Sequence, residues 1–357
     1  MMPSGKTAGQ PPENTGPVSC SRRAMLRFTC YVLLVLLLTA LIIAGIFLGI
    51  VAWPRDVFSH SYQSEIQQRY QTLLDAESPK IILLGGSSVT YGIDEALLEK
   101  ETGYQVVNLG LYASFGDLIP TELSKANIRP GDIVVAAYEY GWNREDNFDT
   151  VGPDMVLSGF DSHLALYRHI PLRIWPQLLG YLREFRDKKA QYEADPGEDI
   201  RREVFDAQGR LALVRPNGVF HYDPDGENAN PQDVRDSSVA DDSARYLRRY
   251  RRYVERRGAK LVFTAPPLLD RALVGTAEDL HTLAENEERA TGIPYISDPA
   301  EYLFGEEYFY DTVYHCTDEG AERRTRLLIR DLRRSGVLAA DRQGAGVPQP
   351  FRAFMVK

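Results

Sequence analysis

Residues 28–53 form an uninterrupted apolar run, and this run constrains the fold of the chain more than any other feature. No charged side chain occurs between Phe28 and Trp53. A helix rises about 1.5 Å per residue, so about 20 apolar residues cross the hydrocarbon layer of a membrane. A cleaved signal peptide has a shorter apolar core followed by small residues, whereas Trp53-Pro54 ends this run. We therefore predict an uncleaved transmembrane helix; the alternative is a buried core helix.

The flanking charges predict how this helix is oriented. Lys6, Arg22, Arg23 and Arg27 precede it, with only Glu13 as an opposing charge. Basic flanks stay on the cytoplasmic side of a membrane. The sequence therefore predicts a single-pass protein of the cell membrane, with a cytoplasmic segment at 1–27 and everything after the helix outside the cytoplasm.

The sequence beyond the anchor predicts a juxtamembrane helix followed by one α/β domain. We expect an amphipathic helix within 54–77, a domain over 78–336 and a loosely ordered tail at 337–357. Short buried strands that alternate with helices indicate a parallel sheet covered by helices, that is, a three-layer α/β/α fold. The predicted strands are 80–84, 104–109, 132–138, 260–264 and 293–296; the predicted helices are 94–101, 115–127, 236–257, 276–289 and 318–334.

Residues 144–235 interrupt this alternation and are interpreted as an insertion. They contain a helical pattern at 170–192 and a hairpin signal around 206–209. We expect the insertion to shape the entrance for a substrate; the alternative is a surface for a protein partner.

Composition excludes some classes of function. The formal net charge is −9, which argues against a nucleic-acid partner. The predicted helix near 245–257 is rich in arginine, but its tyrosines lie on one stripe. This pattern is typical of a helix that packs its tyrosine side against the core and exposes its arginines to solvent. No His-x-x-x-His pair or clustered Cys/His set is present, so we predict no metal and no cofactor. Cys316 is the only cysteine beyond the apolar run, so we expect no disulfide in the outer domain.

A serine turn directly follows the apolar run 81–84. It reads Gly85-Gly86-Ser87-Ser88-Val89-Thr90-Tyr91-Gly92. In α/β hydrolytic folds, a short buried strand delivers a serine nucleophile into such a turn at its carboxyl end. The spacing to Gly92 favours Ser88 over Ser87 as the nucleophile. The alternative is a turn that only connects a strand to a helix.

Asp311 and His315 lie four residues apart, just ahead of the predicted helix 318–334. A serine hydroxyl needs a neighbouring base to take its proton, and that base needs an acid partner. Thr317 is a suitable N-cap for the helix, which leaves His315 in the preceding loop. With Ser88, these residues predict a Ser-His-Asp triad; the alternative is a capped surface loop whose histidine only donates or accepts a hydrogen bond.

On these motifs, residues 80–336 resemble the SGNH (GDSL-type) hydrolases, in particular their membrane-anchored branch in the bacterial envelope. The segment 86–92 is similar to the first block of the family, Gly-Asp-Ser-x-x-x-Gly, with Ser88 on the nucleophile and Ser87 in place of the aspartate. The segment 107–113 is similar to the second block. There Gly110 matches the earlier glycine, and Ala113 stands where the family has a glycine whose N–H helps to form the oxyanion hole.

The sequence departs from the family in its last two blocks. The third block, Gly-x-Asn-Asp, is missing; residues 138–143 after the third strand offer Tyr140 or Asn143 as a substitute side chain for the oxyanion hole. The last block is usually Asp-x-x-His, whereas Asp311 and His315 have one further residue between them, as in the envelope acyl-transfer branch.

The resemblance implies an SGNH-like, flavodoxin-like sheet and acyl transfer on a carbohydrate, at an envelope or exported polysaccharide. It implies Ser88, His315 and Asp311 as nucleophile, base and orienting acid. The backbone N–H groups of Ser88 and of the turn 110–113 are the expected oxyanion donors. A membrane-bound O-acyltransferase that supplies the acyl group is the expected partner. Two alternatives remain: an esterase or deacylase of envelope polymers, and a non-catalytic glycan-binding assembly subunit.

Overall fold

The computed structural model describes residues 22–144, 148–195, 204–226 and 229–338. The chain divides into two units, residues 1–49 and 50–357. Helix α1 (Arg22–Val51) covers the predicted apolar run up to Val51 and is long and apolar enough to be a membrane span or a signal sequence. Most of the predicted cytoplasmic segment (1–21) and of the predicted tail (339–357) lies outside the described residues.

The described strands are short and mostly apolar. They are β1 (Lys80–Leu84), β2 (Gln105–Asn108), β3 (Ile133–Ala136), β4 (Gln232–Asp233), β5 (Lys260–Phe263), β6 (Leu268–Leu269), β7 (Leu273–Val274) and β8 (Leu303–Phe304). Four of them form a parallel sheet in the order β2–β1–β3–β5, which confirms the predicted parallel α/β class. The pairs β4–β7 and β6–β8 are also parallel.

The strand predicted at 293–296 is reduced to a single bridge at the edge of the sheet. Phe263 donates its N–H to the carbonyl of Pro294 at 2.8 Å, and Ile296 donates to Phe263 at 3.0 Å. Pro294 has no N–H, so the ladder cannot be extended through it. The prediction of a full strand there is wrong.

Twelve helices are found in the described parts of the chain. After α1 they are α2 (Glu65–Asp75), α3 (Ser87–Gly92), α4 (Glu95–Thr102), α5 (Leu118–Ser124), α6 (Pro153–Phe160), α7 (Leu164–Tyr167), α8 (Trp175–Gly180), α9 (Leu182–Ala194), α10 (Asp241–Arg256), α11 (Ala277–Thr291) and α12 (Asp318–Arg334).

Several predicted helices are shorter in the structure for identifiable reasons. The helix predicted at 115–127 starts only at Leu118, because Gly116 adopts a left-handed φ of +66°. The helix within 54–77 starts only at Glu65, since the hydroxyls of Ser61 and Ser64 bond to carbonyls three residues back. The helix predicted at 170–192 is divided into α8 and α9.

The core lies on both faces of the sheet. Alternate residues of the strands, such as Ile81 and Leu83 of β1, pack with Leu98 of α4 and with Leu328 and Leu332 of α12 in one buried cluster. Helices α2, α5 and α10 contact β2, β1 and β5. The arrangement is compatible with three layers, and it leaves the carboxyl ends of β1, β2 and β3 at one edge, where ligand sites of parallel sheets lie.

Candidate active site

The serine turn begins directly at the carboxyl end of β1. Gly85 has a φ of +154°, and a Cβ there would lie 2.6 Å from the carbonyl oxygen of Ala137. Only glycine fits this close approach of two strand ends. The chain then enters α3, whose first residue is Ser87.

Ser87, His315 and Asp311 form a continuous hydrogen-bonded chain. The Oγ atom of Ser87 lies 2.7 Å from Nε2 of His315, and Nδ1 of His315 lies 2.7 Å from Oδ1 of Asp311. For the imidazole to donate to Asp311, its proton must be on Nδ1, which leaves Nε2 as an acceptor for the serine proton. The side chain of His315 is 16% exposed, and that of Asp311 is 44% exposed. The hydrogen-bonded series of side chains is therefore more exposed to solvent at Asp311 than at His315.

The serine in contact with His315 is Ser87, so the prediction that Ser88 pairs with the histidine is wrong. Ser88 is fully buried, and its hydroxyl has no hydrogen-bond partner among the described residues. Successive residues of a helix point about 100° apart, so Ser87 and Ser88 cannot both face the same histidine. The residue before the paired serine is consequently Gly86, which has no side chain.

A short closed loop holds Asp311 and His315 together across the additional residue between them. Tyr310 donates its N–H to the carbonyl of His315 at 2.8 Å, and Thr312 Oγ1 accepts from the N–H of His315 at 3.1 Å. Thr317 then caps α12 by accepting from Gly320 N at 3.1 Å, as predicted. The loop geometry therefore accommodates the longer spacing.

Tyr91 packs against the histidine, and Arg215 contacts the backbone beside both residues. The Tyr91 ring stacks on the imidazole with centroids 4.1 Å apart and planes 9° apart. Burial, and next the charge of Asp311, raise the pKa of Tyr91 to about 12. Arg215, from the insertion, donates to the carbonyls of Tyr91 and Cys316 and pairs with Asp318 at 2.8 Å. The predicted insertion thus contacts the candidate site, although its role at an entrance stays a prediction.

Gly110 does not offer its N–H to the site. That N–H donates to Oδ1 of Asn108 at 3.0 Å, and the Gly110 carbonyl accepts from Arg69 and Thr90. The prediction of Gly110 as an oxyanion donor is therefore wrong. The N–H of Ala113 has no acceptor among the described residues, and its Cα lies 3.5 Å from where a Cβ on Gly86 would be. Ala113 thus lies beside the serine turn and keeps its predicted role as a candidate donor.

Neither the Tyr140 nor the Asn143 side chain is hydrogen-bonded to the serine turn among the described residues. The Tyr140 hydroxyl is buried without a hydrogen-bond partner among the described residues, and burial raises its pKa. The Asn143 amide is buried and donates to the carbonyl of Ser238 at 2.7 Å. The side chain from this segment that reaches the turn is Glu139, whose Oε1 accepts from the N–H of Ser88 at 3.1 Å. The N–H of Ser88, expected as an oxyanion donor, is therefore already engaged. Sequence reasoning missed Glu139, although its place after a predicted strand was a usable signal.

A buried arginine lies beneath the turn. Arg324 of α12 is 1% exposed and donates to the carbonyl of Ser88 at 2.6 Å. Gly92 leaves room for the Arg324 side chain, since a Cβ at position 92 would collide with the guanidinium. Burial lowers the pKa of Arg324 and raises that of the neighbouring thiol, Cys316, to about 11. A thiol of that pKa is largely protonated at neutral pH, so Cys316 is a packing residue here.

In the described part of the chain, no group of three or more His, Cys, Asp or Glu side chains is arranged to hold a metal ion. No protein-family model matches the sequence. A comparison with curated proteins gives no match either.

Proposed function

We propose that this protein is a membrane-anchored serine acyltransferase of the SGNH type that acts on a carbohydrate of the cell envelope or of an exported polysaccharide. The observation that carries the proposal is the Ser87–His315–Asp311 chain at the carboxyl end of β1. An unactivated serine is a poor nucleophile, and this constellation is how proteins activate one.

In the proposed reaction, Nε2 of His315 takes the proton of Ser87 as Oγ bonds to the acyl carbon of an ester. The carbonyl oxygen becomes an oxyanion, and the N–H groups of Ser87 and Ala113 are the candidate backbone donors. Collapse of the adduct breaks the bond to the leaving oxygen, which receives the proton from His315. An acceptor hydroxyl then gives its proton to His315 and bonds to the acyl carbon. The bond from that carbon to Ser87 Oγ breaks, Oγ takes the proton back from His315, and the new ester leaves.

The membrane setting of the proposal rests on α1 and its arginines. With Arg22, Arg23 and Arg27 on the cytoplasmic side, α1 would hold the domain at the outer face of the membrane. A carbohydrate acceptor there, and a membrane-bound O-acyltransferase as acyl donor, follow from the family resemblance. If water replaces the sugar as acceptor, the same residues act as an esterase.

The test is ester turnover by the full-length protein in detergent micelles, with p-nitrophenyl acetate as the substrate. We expect Ser87→Ala and His315→Ala each to reduce kcat by about 10³-fold or more. Ser88→Ala is the matched control, and we expect kcat within about threefold of wild type, since its hydroxyl has no partner.

Turnover that is equal in the wild type and in Ser87→Ala would favour a non-catalytic, glycan-binding role. Adding candidate sugar acceptors separates the two catalytic alternatives: transfer gives an acylated sugar, and hydrolysis gives only free acid.

A further inference from the structure

One arginine of the inserted segment joins the two parts of the candidate active site. Arg215 is 6% exposed, and its Nη1 atom donates to the carbonyl of Tyr91 and, at 3.1 Å, to the carbonyl of Cys316. Tyr91 belongs to α3, the helix that begins with Ser87, and Cys316 directly follows His315. A single guanidinium nitrogen therefore bonds both to the serine helix and to the loop that carries the histidine.

The rest of the guanidinium is held by Asp318, the first residue of α12. Nε and Nη2 of Arg215 donate to Oδ1 of Asp318 at 3.0 and 2.8 Å. The Arg215 backbone N–H donates to Oδ2 at 3.1 Å, and the Asp318 N–H donates to the Arg215 carbonyl at 3.0 Å. These contacts fix the plane of the guanidinium with Nη1 on the two carbonyls. Lysine has no planar fork of donors, so it cannot make the same set of contacts.

The two carbonyls that Nη1 contacts are buried with their residues. The carbonyl of Tyr91 lies in the last turn of α3, where helix carbonyls have no partner within the helix. The carbonyl of Cys316 lies directly before Thr317, the N-cap of α12. Loss of the guanidinium would remove a donor from both, and the backbone on each side would have to shift to replace it.

The backbone that Arg215 holds carries the groups that react in the proposed mechanism. The Tyr91 ring stacks on the imidazole of His315 with centroids 4.1 Å apart, and Nε2 of that imidazole lies 2.7 Å from Oγ of Ser87. A misplacement of about 1 Å between reacting groups can cost about 10²-fold in rate. Since Arg215 bonds to backbone and to Asp318, its effect on the reaction passes through the placement of Ser87 and His315.

We propose that Arg215 is a positioning residue, whose guanidinium keeps the serine helix and the histidine loop at the separation at which His315 Nε2 can take the Ser87 proton. The inference rests on the proposed function. It gives the inserted segment 144–235 a part in catalysis, because the side chain that fixes the contact between serine and histidine comes from that segment and not from the α/β core.

The experiment compares Arg215→Ala and Arg215→Lys in the full-length protein in detergent micelles, with kcat and KM measured for p-nitrophenyl acetate. Rates of Ser87→Ala are subtracted as background. The matched control is Arg235→Ala, which breaks an exposed ion pair with Asp233 in the same inserted segment. We expect Arg215→Ala to lower kcat by about 10–10²-fold with KM within about twofold of wild type. Arg215→Lys should lower kcat by at least about fivefold, and Arg235→Ala should change neither constant.

Labelling by a fluorophosphonate separates positioning from a loss of folded protein. In Arg215→Ala the second-order rate constant of labelling should fall by about the same factor as kcat, while the final labelled fraction stays equal to that of the wild type. A purely structural role would lower the labelled fraction and leave the rate constant of the remaining folded protein unchanged. Thermal unfolding checks each variant, and if Arg215→Ala does not fold, kcat and labelling of Arg215→Lys decide.

Three results would overturn the inference. They are kcat of Arg215→Ala within about twofold of wild type, a loss that appears in KM and not in kcat, and a lowered labelled fraction with an unchanged rate constant. Absence of Ser87-dependent turnover in the wild type would overturn the proposed function together with this inference. Ser87-dependent turnover that is indifferent to both Arg215 variants would overturn this inference only.

Discussion

Asp311→Asn isolates the contribution of the carboxylate that contacts His315. In the proposed reaction the imidazole becomes a cation when it takes the Ser87 proton, and Oδ1 of Asp311 lies 2.7 Å from its Nδ1. Two unit charges about 4 Å apart attract by about 4 kcal/mol at an effective dielectric constant of about 20, and by about 1 kcal/mol in bulk water. Since Asp311 is 44% exposed, its contribution lies between these limits.

A tenfold change in rate corresponds to about 1.4 kcal/mol of activation free energy. Asp311→Asn should therefore lower kcat for p-nitrophenyl acetate by between about 5-fold and about 10³-fold, which is less than the loss in Ser87→Ala. Because the carboxylate is partly exposed, raising the ionic strength should reduce wild-type kcat more than that of the variant. A variant within twofold of wild type, or one as inactive as Ser87→Ala, would refute this electrostatic reasoning.

Three further predictions concern stability, measured by thermal or chemical unfolding of the full-length protein. Asp132→Ala leaves the buried ammonium of Lys80 without the carboxylate that now lies 2.7 Å away, and should destabilise the fold by about 3–5 kcal/mol; a loss below about 1 kcal/mol would contradict the buried pair. Thr317→Ala removes the cap of α12 and should cost about 1 kcal/mol, which Thr317→Ser should largely restore. Asp117→Asn tests the raised pKa of the Asp117 carboxyl, which in the folded wild type keeps a proton that the unfolded chain loses. The free energy of unfolding of the wild type should therefore fall relative to that of the variant, by up to about 1.4 kcal/mol per pH unit from about pH 4 to about pH 8. A difference in stability that does not change with pH would contradict the raised pKa.

The sheet was predictable from sequence because its strands are apolar runs between turn residues. The runs 80–84 and 260–264 carry enough hydrophobic side chains to require burial, and both strands are found in the parallel sheet. The strand predicted at 293–296 was misjudged because it was inferred from hydrophobicity alone. Hydrophobicity does not indicate whether a residue can donate the backbone hydrogen bonds of a strand, and Pro294 cannot. Helix starts were misjudged where serine hydroxyls or Gly116 compete with helical hydrogen bonds.

The site was predictable as a set of motifs but not in its atomic detail. Asp311 and His315 were identified because their spacing and the Thr317 cap fix a loop beside the sheet edge. The choice between Ser87 and Ser88 depends on where α3 begins, which motif spacing does not determine. Glu139 was missed because a single acid after a strand carries no motif; only the packing against Gly86 places it at the turn.

The most direct test of the account is the site of covalent labelling by a fluorophosphonate, mapped by mass spectrometry of peptides from the full-length protein. The serine that His315 activates should carry the adduct, so we expect the label on Ser87, retained in Ser88→Ala and lost in Ser87→Ala and in His315→Ala. A label on Ser88, or labelling that is equal with and without His315, would contradict the assignment of Ser87 as the nucleophile.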